Sequence, residues 1–298
     1  MQVPSHVEYE RATSVEHALA LLGRPDHRVL AGGHSLIPMM KLRLAQPGVL
    51  VDINGLAELA FIKEHDGQLR IGALARHADL LDSATAGQHF PIFHDAERVV
   101  ADPIVRLWGT VGGSLCQADP SEDLSAVFAA VRATAVIRGQ DGDREVPVRE
   151  FHLGPYETVI GPGELLAEIR VPIIPGTGSA YEKVARRVGD WSVAAAGAVL
   201  QLHKQTIKEA GIGLTAVAAE HFVAAEAEDF LRGKPASEEN FERAAKIAAE
   251  HCQPIPDQRG PEDYKRHLVA ELTTRALRRA AGRATGPAAG RAAQRATT

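Results

Sequence analysis

The stretch "RVLAGGHSLIPMMKLRLA", residues 28–45, decides how the chain is read. An apolar run ends at Ala31, two glycines, a histidine and a serine follow, and apolar and cationic residues then resume at helical spacing. This predicts a strand, a turn of bare backbone and a helix. Glycine permits a positive φ or the close approach of a ligand where a side chain would not fit. The amides of such a turn, with the positive end of the next helix, form an anion cradle, and Ser35 adds a hydroxyl. A tight turn with a serine cap needs the same residues, so one Gly-Gly-x-Ser does not choose between the two.

Working outward, "TSVEHALALLG" from Thr13 predicts a short capped helix closed by Gly23, and "HRVLAG" a buried strand. "GVLVDINGL", residues 48–56, is a second strand ending at Asn54-Gly55. Helix, strand, glycine turn, helix and strand make a small parallel α/β unit. The next zone opens on a hairpin signal at Asp66-Gly67, passes two helical patterns, and reaches a second cluster, "TVGGSLCQADPSEDL", residues 110–124. "TVGGS" repeats the first device, and two glycine cradles suit a diphosphate. Neither is a G-x-G-x-x-G or a G-x-x-x-x-G-K-[ST], which disfavours Rossmann and P-loop sites. Strands at "ATAVIRG", "REVPVREF" and "GPGELLAEIRVP" close the zone. The last zone, from "AYEKVARR", combines long strands with alanine-rich helices around 220–231, 238–251 and 262–281.

Composition limits the possibilities. The 298 residues exceed what one core serves, and 45% apolar content lets several modest domains pack. A formal charge of −5 gives no basic field for nucleic acid. Two distant cysteines, Cys116 and Cys252, build neither a disulfide framework nor an iron–sulfur or zinc site. No window spans a bilayer and no secretory leader precedes the first helix. A cytoplasmic location is expected, with peripheral association at the inner face of the membrane left open.

Four motifs, "AGGHSLIPMMKLRLAQP", "TVGGSLCQADPSEDL", "GPGELLAEIRVP" and "YEKVARRVGDWSVAAAGA", fall in an order and spacing that resembles the FAD-binding medium subunit of the molybdenum hydroxylases, the xanthine dehydrogenase and aerobic carbon monoxide dehydrogenase family. The likeness runs from about residue 4 to about 280. Within the family, the "AGGHSL-P-MKLRLA" stretch and the "GDW" after "ARR" look most like the carbon monoxide dehydrogenase branch.

The resemblance implies an α+β fold. It consists of an FAD-binding portion of the vanillyl-alcohol-oxidase-like type in two α/β subdomains, residues 1–57 and 58–175, then a C-terminal domain of antiparallel strands and helices, residues 176–282. Residues 283–298, rich in arginine and alanine, read as a disordered tail. It also implies non-covalent FAD. Ala31, Gly32, Gly33, His34, Ser35 and Leu36 would lie on one side of the pyrophosphate, and Thr110, Gly112, Gly113 and Ser114 on the other. Asp123 would take a sugar or ribityl hydroxyl, Leu165 and Leu166 would lie against the flavin ring, and Lys183 would sit beside it. Asp123 equally suits a cap on the helix "LSAVFAAV". Lys183, Arg186 and Arg187 equally suit a solvated cationic face, Trp191 either shields a flavin face or fills a core, and Cys116 reads as a small apolar filler.

As a family member, the chain would carry the flavin only. Molybdenum cofactor and [2Fe-2S] clusters would sit on a large and a small partner subunit, in a dimer of heterotrimers, and the flavin would pass their electrons to an external acceptor. The medium subunit of a xanthine-, nicotinate-, quinoline- or aldehyde-oxidising relative, a free-standing flavoenzyme and a non-enzymatic nucleotide-binding module are the rival readings.

Overall fold

The computed structural model describes residues 3–285. Its first layer is a parallel sheet of β1 (Glu8–Arg11), β2 (His27–Leu30) and β3 (Val49–Asp52) in the order β1-β3-β2. The helix Val15–Leu22 covers it with Val15, Ala18, Leu19 and Leu22, and Ser14 caps that helix by accepting from the His17 amide at 3.1 Å. This is the parallel unit expected from the sequence plus one strand. β1 reads "EYER", with no apolar alternation, and only its pairing to β3 reveals it.

The second sheet has the order β4-β5-β10-β6-β7, all neighbours antiparallel. β4 (Ile62–His65) and β5 (Gln68–Gly72) form the hairpin turned at Asp66-Gly67, and β6 (Thr134–Gly139) and β7 (Gly142–Pro147) a second. After the short pair β8 (His152–Gly154) and β9 (Glu157–Thr158), β10 (Leu165–Pro172) enters between the two hairpins. Its burial on both faces, from Leu165 to Ile169, explains why it reads as an unbroken apolar run. Six short helices connect β5 to β6 and build the core around Phe93, Phe128, Leu115 and Leu124.

The C-terminal part is an antiparallel sheet of β11 (Thr177–Ala185), β12 (Ser192–His203) and β13 (Thr206–Thr215), backed by helices Ala225–Leu231, Glu238–His251 and Glu262–Ala284. The last helix lies so close to β11 that a β-carbon on Gly178 would collide with the Ala280 carbonyl. It continues past residue 282. Arg283, assigned to the tail by composition, is in its final turn, with Nη1 2.6 Å from Asp95 in the helix Pro91–Glu97. The remainder of that tail, from 286, lies outside the described residues.

Candidate functional site

The turn after β2 is the first element of the site. Gly33 has φ +75°, and the helix Leu36–Lys41 begins directly behind it. Among the described residues, none of the five backbone amides from Gly32 to Leu36 donates to a protein acceptor. Ser35 makes no capping bond either, so the serine-cap reading of this turn does not hold. Five adjacent unpaired N–H groups on a part-exposed turn at a helix start are the arrangement that an anion cradle needs.

The second glycine cluster works differently. It links two helices, Pro103–Trp108 and Val111–Gln117, rather than a strand and a helix, and Gly112 and Gly113 fall inside the latter. Its amides are spent: Val111 on the Ala75 carbonyl, Gly112 on Ala73, Gly113 on the Thr110 hydroxyl at 3.0 Å and Ser114 on the Thr110 carbonyl. Gly112 is needed because a β-carbon there would come 2.6 Å from that of Ala73. Gly32 likewise lets the first loop rest on the second, since a β-carbon would strike the Trp108 carbonyl oxygen. Two residues not singled out from the sequence tie the loops together. Asn54 donates to the Ala31 carbonyl at 2.7 Å, while Arg76 donates to Asn54 Oδ1 at 2.7 Å and to the Trp108 carbonyl.

Two cavities meet at these loops. The first, about 530 Å³, is lined by Ala31, Gly32, Gly33, His34, Ser35 and Leu36, by Thr110, Gly113 and Ser114, and by Asp123, Lys183 and Trp191. The second, about 430 Å³, is lined by Gly112, Leu165 and Leu166 with Leu22, Ile53 and Ile160. They share Ala31, Gly113 and Cys116 along their common wall, and each has the size of a small-molecule site. Leu165 and Leu166 line the second cavity and Lys183 the first.

Two adjacent acids of the first cavity are held by specific partners. Asp123 is buried and accepts from Lys183 Nζ at 2.7 Å, Tyr181 Oη at 2.7 Å and Ser192 Oγ at 2.8 Å. It caps nothing. The cap falls to its neighbour Glu122, which accepts from the amides of Leu124 and Ser125 and from Ser114 Oγ at 2.7 Å. Burial pushes the Glu122 carboxyl above its usual range against these hydrogen bonds. Arg186 and Arg187 are exposed, as a solvated cationic face would be. Burial pushes the Cys116 thiol up to about 12, in keeping with a filler rather than a reactive group.

An open amide cradle between two adjoining cavities, both mixing charged and apolar lining, is the arrangement of a binding protein for an extended anionic ligand. The model of the FAD binding domain in molybdopterin dehydrogenase matches residues 5–174, and that of the CO dehydrogenase flavoprotein C-terminal domain matches residues 179–280. The chain belongs to the family of FAD-binding medium subunits of the molybdenum hydroxylases, and so to the flavin subunits of molybdenum-containing oxidoreductase complexes. It is 40% identical over 278 residues to the carbon monoxide dehydrogenase medium chain of Hydrogenophaga pseudoflava, covering 92% of this chain and 97% of that one. The solved carbon monoxide dehydrogenase of the same organism superposes with a TM-score of 0.91 at 42% identity, over 94% of this chain and 99% of the other. Quinoline 2-oxidoreductase from Pseudomonas putida 86 superposes with a TM-score of 0.88 at 33% identity, over 95% and 100% of the two chains. Among the described residues no helix is long and apolar enough to cross a membrane.

Proposed function

We propose that the chain holds FAD non-covalently across both cavities and passes electrons from partner iron–sulfur clusters to an external acceptor, as the medium subunit of an aerobic carbon monoxide dehydrogenase. The open amides of Gly32–Leu36 carry the reading. They suit the diphosphate, with Thr110 and Ser114 bounding the other side. The ring belongs in the first cavity, near Lys183 and Trp191, and the adenine end in the second, against Leu165 and Leu166. Asp123 then acts mainly by fixing Lys183 beside the ring. When bound, FAD supplies the two-electron chemistry that the side chains lack. The protein's part is to fix it, set its surroundings and expose one edge.

In this reading the FAD-binding part keeps the two-subdomain, vanillyl-alcohol-oxidase-like division at residues 57 and 175, and molybdenum cofactor and [2Fe-2S] clusters sit on a large and a small subunit in a dimer of heterotrimers. Beside the mouth of the first cavity, the helix Pro103–Trp108 exposes Ile104, Leu107 and Trp108, an uncharged strip of the kind a partner covers. The identities of 38–42% to carbon monoxide dehydrogenase medium chains favour that branch by a wide margin over the quinoline-oxidising one at 33% and by a narrow one over the glyceraldehyde and 6-hydroxypseudooxynicotine dehydrogenases at 36%. Expressed alone, the chain should show the two visible bands of FAD and reduce it with no substrate. Expressed with its partner subunits, its flavin should bleach under carbon monoxide. Turnover by the isolated chain would mean a free-standing flavoenzyme, and a colourless chain a nucleotide-binding module of another kind.

A further inference from the structure

One buried titratable pair touches the first cavity and has no part in the function described so far. His77 opens the helix His77–Asp82 and is 5% exposed; Glu97 ends the helix Pro91–Glu97 and is fully buried. His77 Nδ1 lies 3.0 Å from each Glu97 carboxylate oxygen. That leaves the ring one nitrogen. Among the described residues Nε2 has no protein partner, yet it is not sealed from space. The ring edge that bears it lies beside Gly109, and both residues line the first cavity.

The other charges around it are engaged elsewhere. On its own helix, Asp79 accepts from the Arg76 amide, and Arg76 reaches Asn54. From the helix Pro103–Trp108, Arg106 donates to the carbonyls of Val100 and Ala101. Before the helix Leu124–Ala130, Glu122 is held by Ser114 and Asp123 by Lys183 of β11. Burial opposes charge on both members of the pair and raises the Glu97 carboxyl as well. At His77 the 3.0 Å contact with Glu97, aided by Glu122 and Asp123, outweighs burial and holds the imidazole above its ordinary value.

We propose that His77, held as an imidazolium by Glu97, directs a charged N–H donor at the FAD of the first cavity and favours reduced over oxidised flavin. A flavin that takes two electrons from the iron–sulfur partner and one proton gains one negative charge. A fixed cation with a free donor stabilises that form more than the neutral oxidised ring. The charges of both His77 and Lys183 are matched by a carboxylate, Glu97 and Asp123 respectively. What sets His77 apart is its unpartnered Nε2, whereas Lys183 Nζ already donates to Asp123 and to the Val99 carbonyl. Glu97 is a positioning residue that acts through His77.

The inference rests on the FAD reading above. Its test is spectroelectrochemistry of the FAD-loaded full chain as wild type, His77→Gln and Glu97→Gln, with FAD affinity measured by fluorescence titration. In His77→Gln near pH 6, reduced FAD should lose about tenfold more affinity than oxidised FAD, about 30 mV in a two-electron potential. In wild type this advantage should fade as pH rises through the elevated His77 pKa, where the imidazolium is lost. Glu97→Gln keeps a partner for Nδ1 without its charge, so the same fading should occur at lower pH. That variant carries the test if His77→Gln does not fold. An unchanged potential in both variants, or equal loss of oxidised and reduced affinity, overturns the inference alone. A wild-type chain that binds no FAD overturns it together with the function on which it rests.

Discussion

Lys183 and Asp123 meet across the junction of the two matched domains, Nζ 2.7 Å from the carboxylate and both side chains nearly sealed from solvent. Each compensates the other, so neither is a simple charge beside a ligand. Removing Lys183 leaves a buried carboxylate held only by Tyr181 and Ser192.

Lys183→Met should therefore destabilise the chain by about 3 kcal/mol, the usual scale for orphaning a buried charge. It should also lower the flavin potential, because Asp123 then stands uncompensated near the cavity. Lys183→Met with Asp123→Asn should recover much of both. Thermal melts and redox titration of the single and double variants check this, and equal losses in the two would mean that the ion pair is not the cause.

At the first loop, Gly33→Ala places a side chain on a residue at φ +75°, with its β-carbon 2.9 Å from Ile37 Cδ1. The cost to folding should be about 1 kcal/mol, because that side chain end can yield. FAD affinity should fall at least tenfold as the amide run is disturbed. Gly113→Val should behave differently: its β-carbon meets the Thr110 hydroxyl that caps the same helix, at 2.7 Å. Loss of stability should then accompany loss of FAD, as melting and flavin content of the two variants will show.

Asp95 joins the domains a second time, accepting from Arg279 at 2.9 Å and from Arg283 at 2.6 Å. Burial works against its charge, but the two guanidiniums outweigh it and hold the carboxyl below its usual range. A depressed folded pKa gives stability that is complete above the unfolded value near 3.8 and is lost as pH falls through the folded one. Asp95→Asn should cost about 1–3 kcal/mol at pH 7, reduced from the fully buried case because the arginines are partly solvated. It should also flatten the loss of stability below pH 4. Melts from pH 7 to 3 compare the two slopes.

The Cys116 thiol, raised to about 12, should resist iodoacetamide at pH 8 in the folded chain and react once the chain is unfolded in guanidinium. Peptide mass spectrometry separates it from Cys252, which burial also raises. Rapid labelling of native Cys116 would contradict a filler role.

Local pattern determined a good deal of this. The glycine turn at 32–33 between a strand and a helix, the hairpins at Asp66-Gly67 and Asp141-Gly142, and the three late helices are each dictated by residues near in sequence, where φ, capping and apolar period act. Tertiary structure decided what those residues do. "AGGHS" and "TVGGS" look alike, yet the first keeps its amides open and the second spends them on Ala73, Ala75 and Thr110, because the segment Ala73–Ala75 that follows β5 runs beneath only the second. Glu122 and Asp123 are adjacent acids, and only the approach of β11 and β12 assigns the helix cap to one and Lys183 to the other. His77 and Glu97 are 20 residues apart and join two helices that no periodicity relates. Hydrogen-bond partners of this kind are chosen by which surfaces the long-range packing brings within about 3 Å, and a sequence of local preferences carries no such distance.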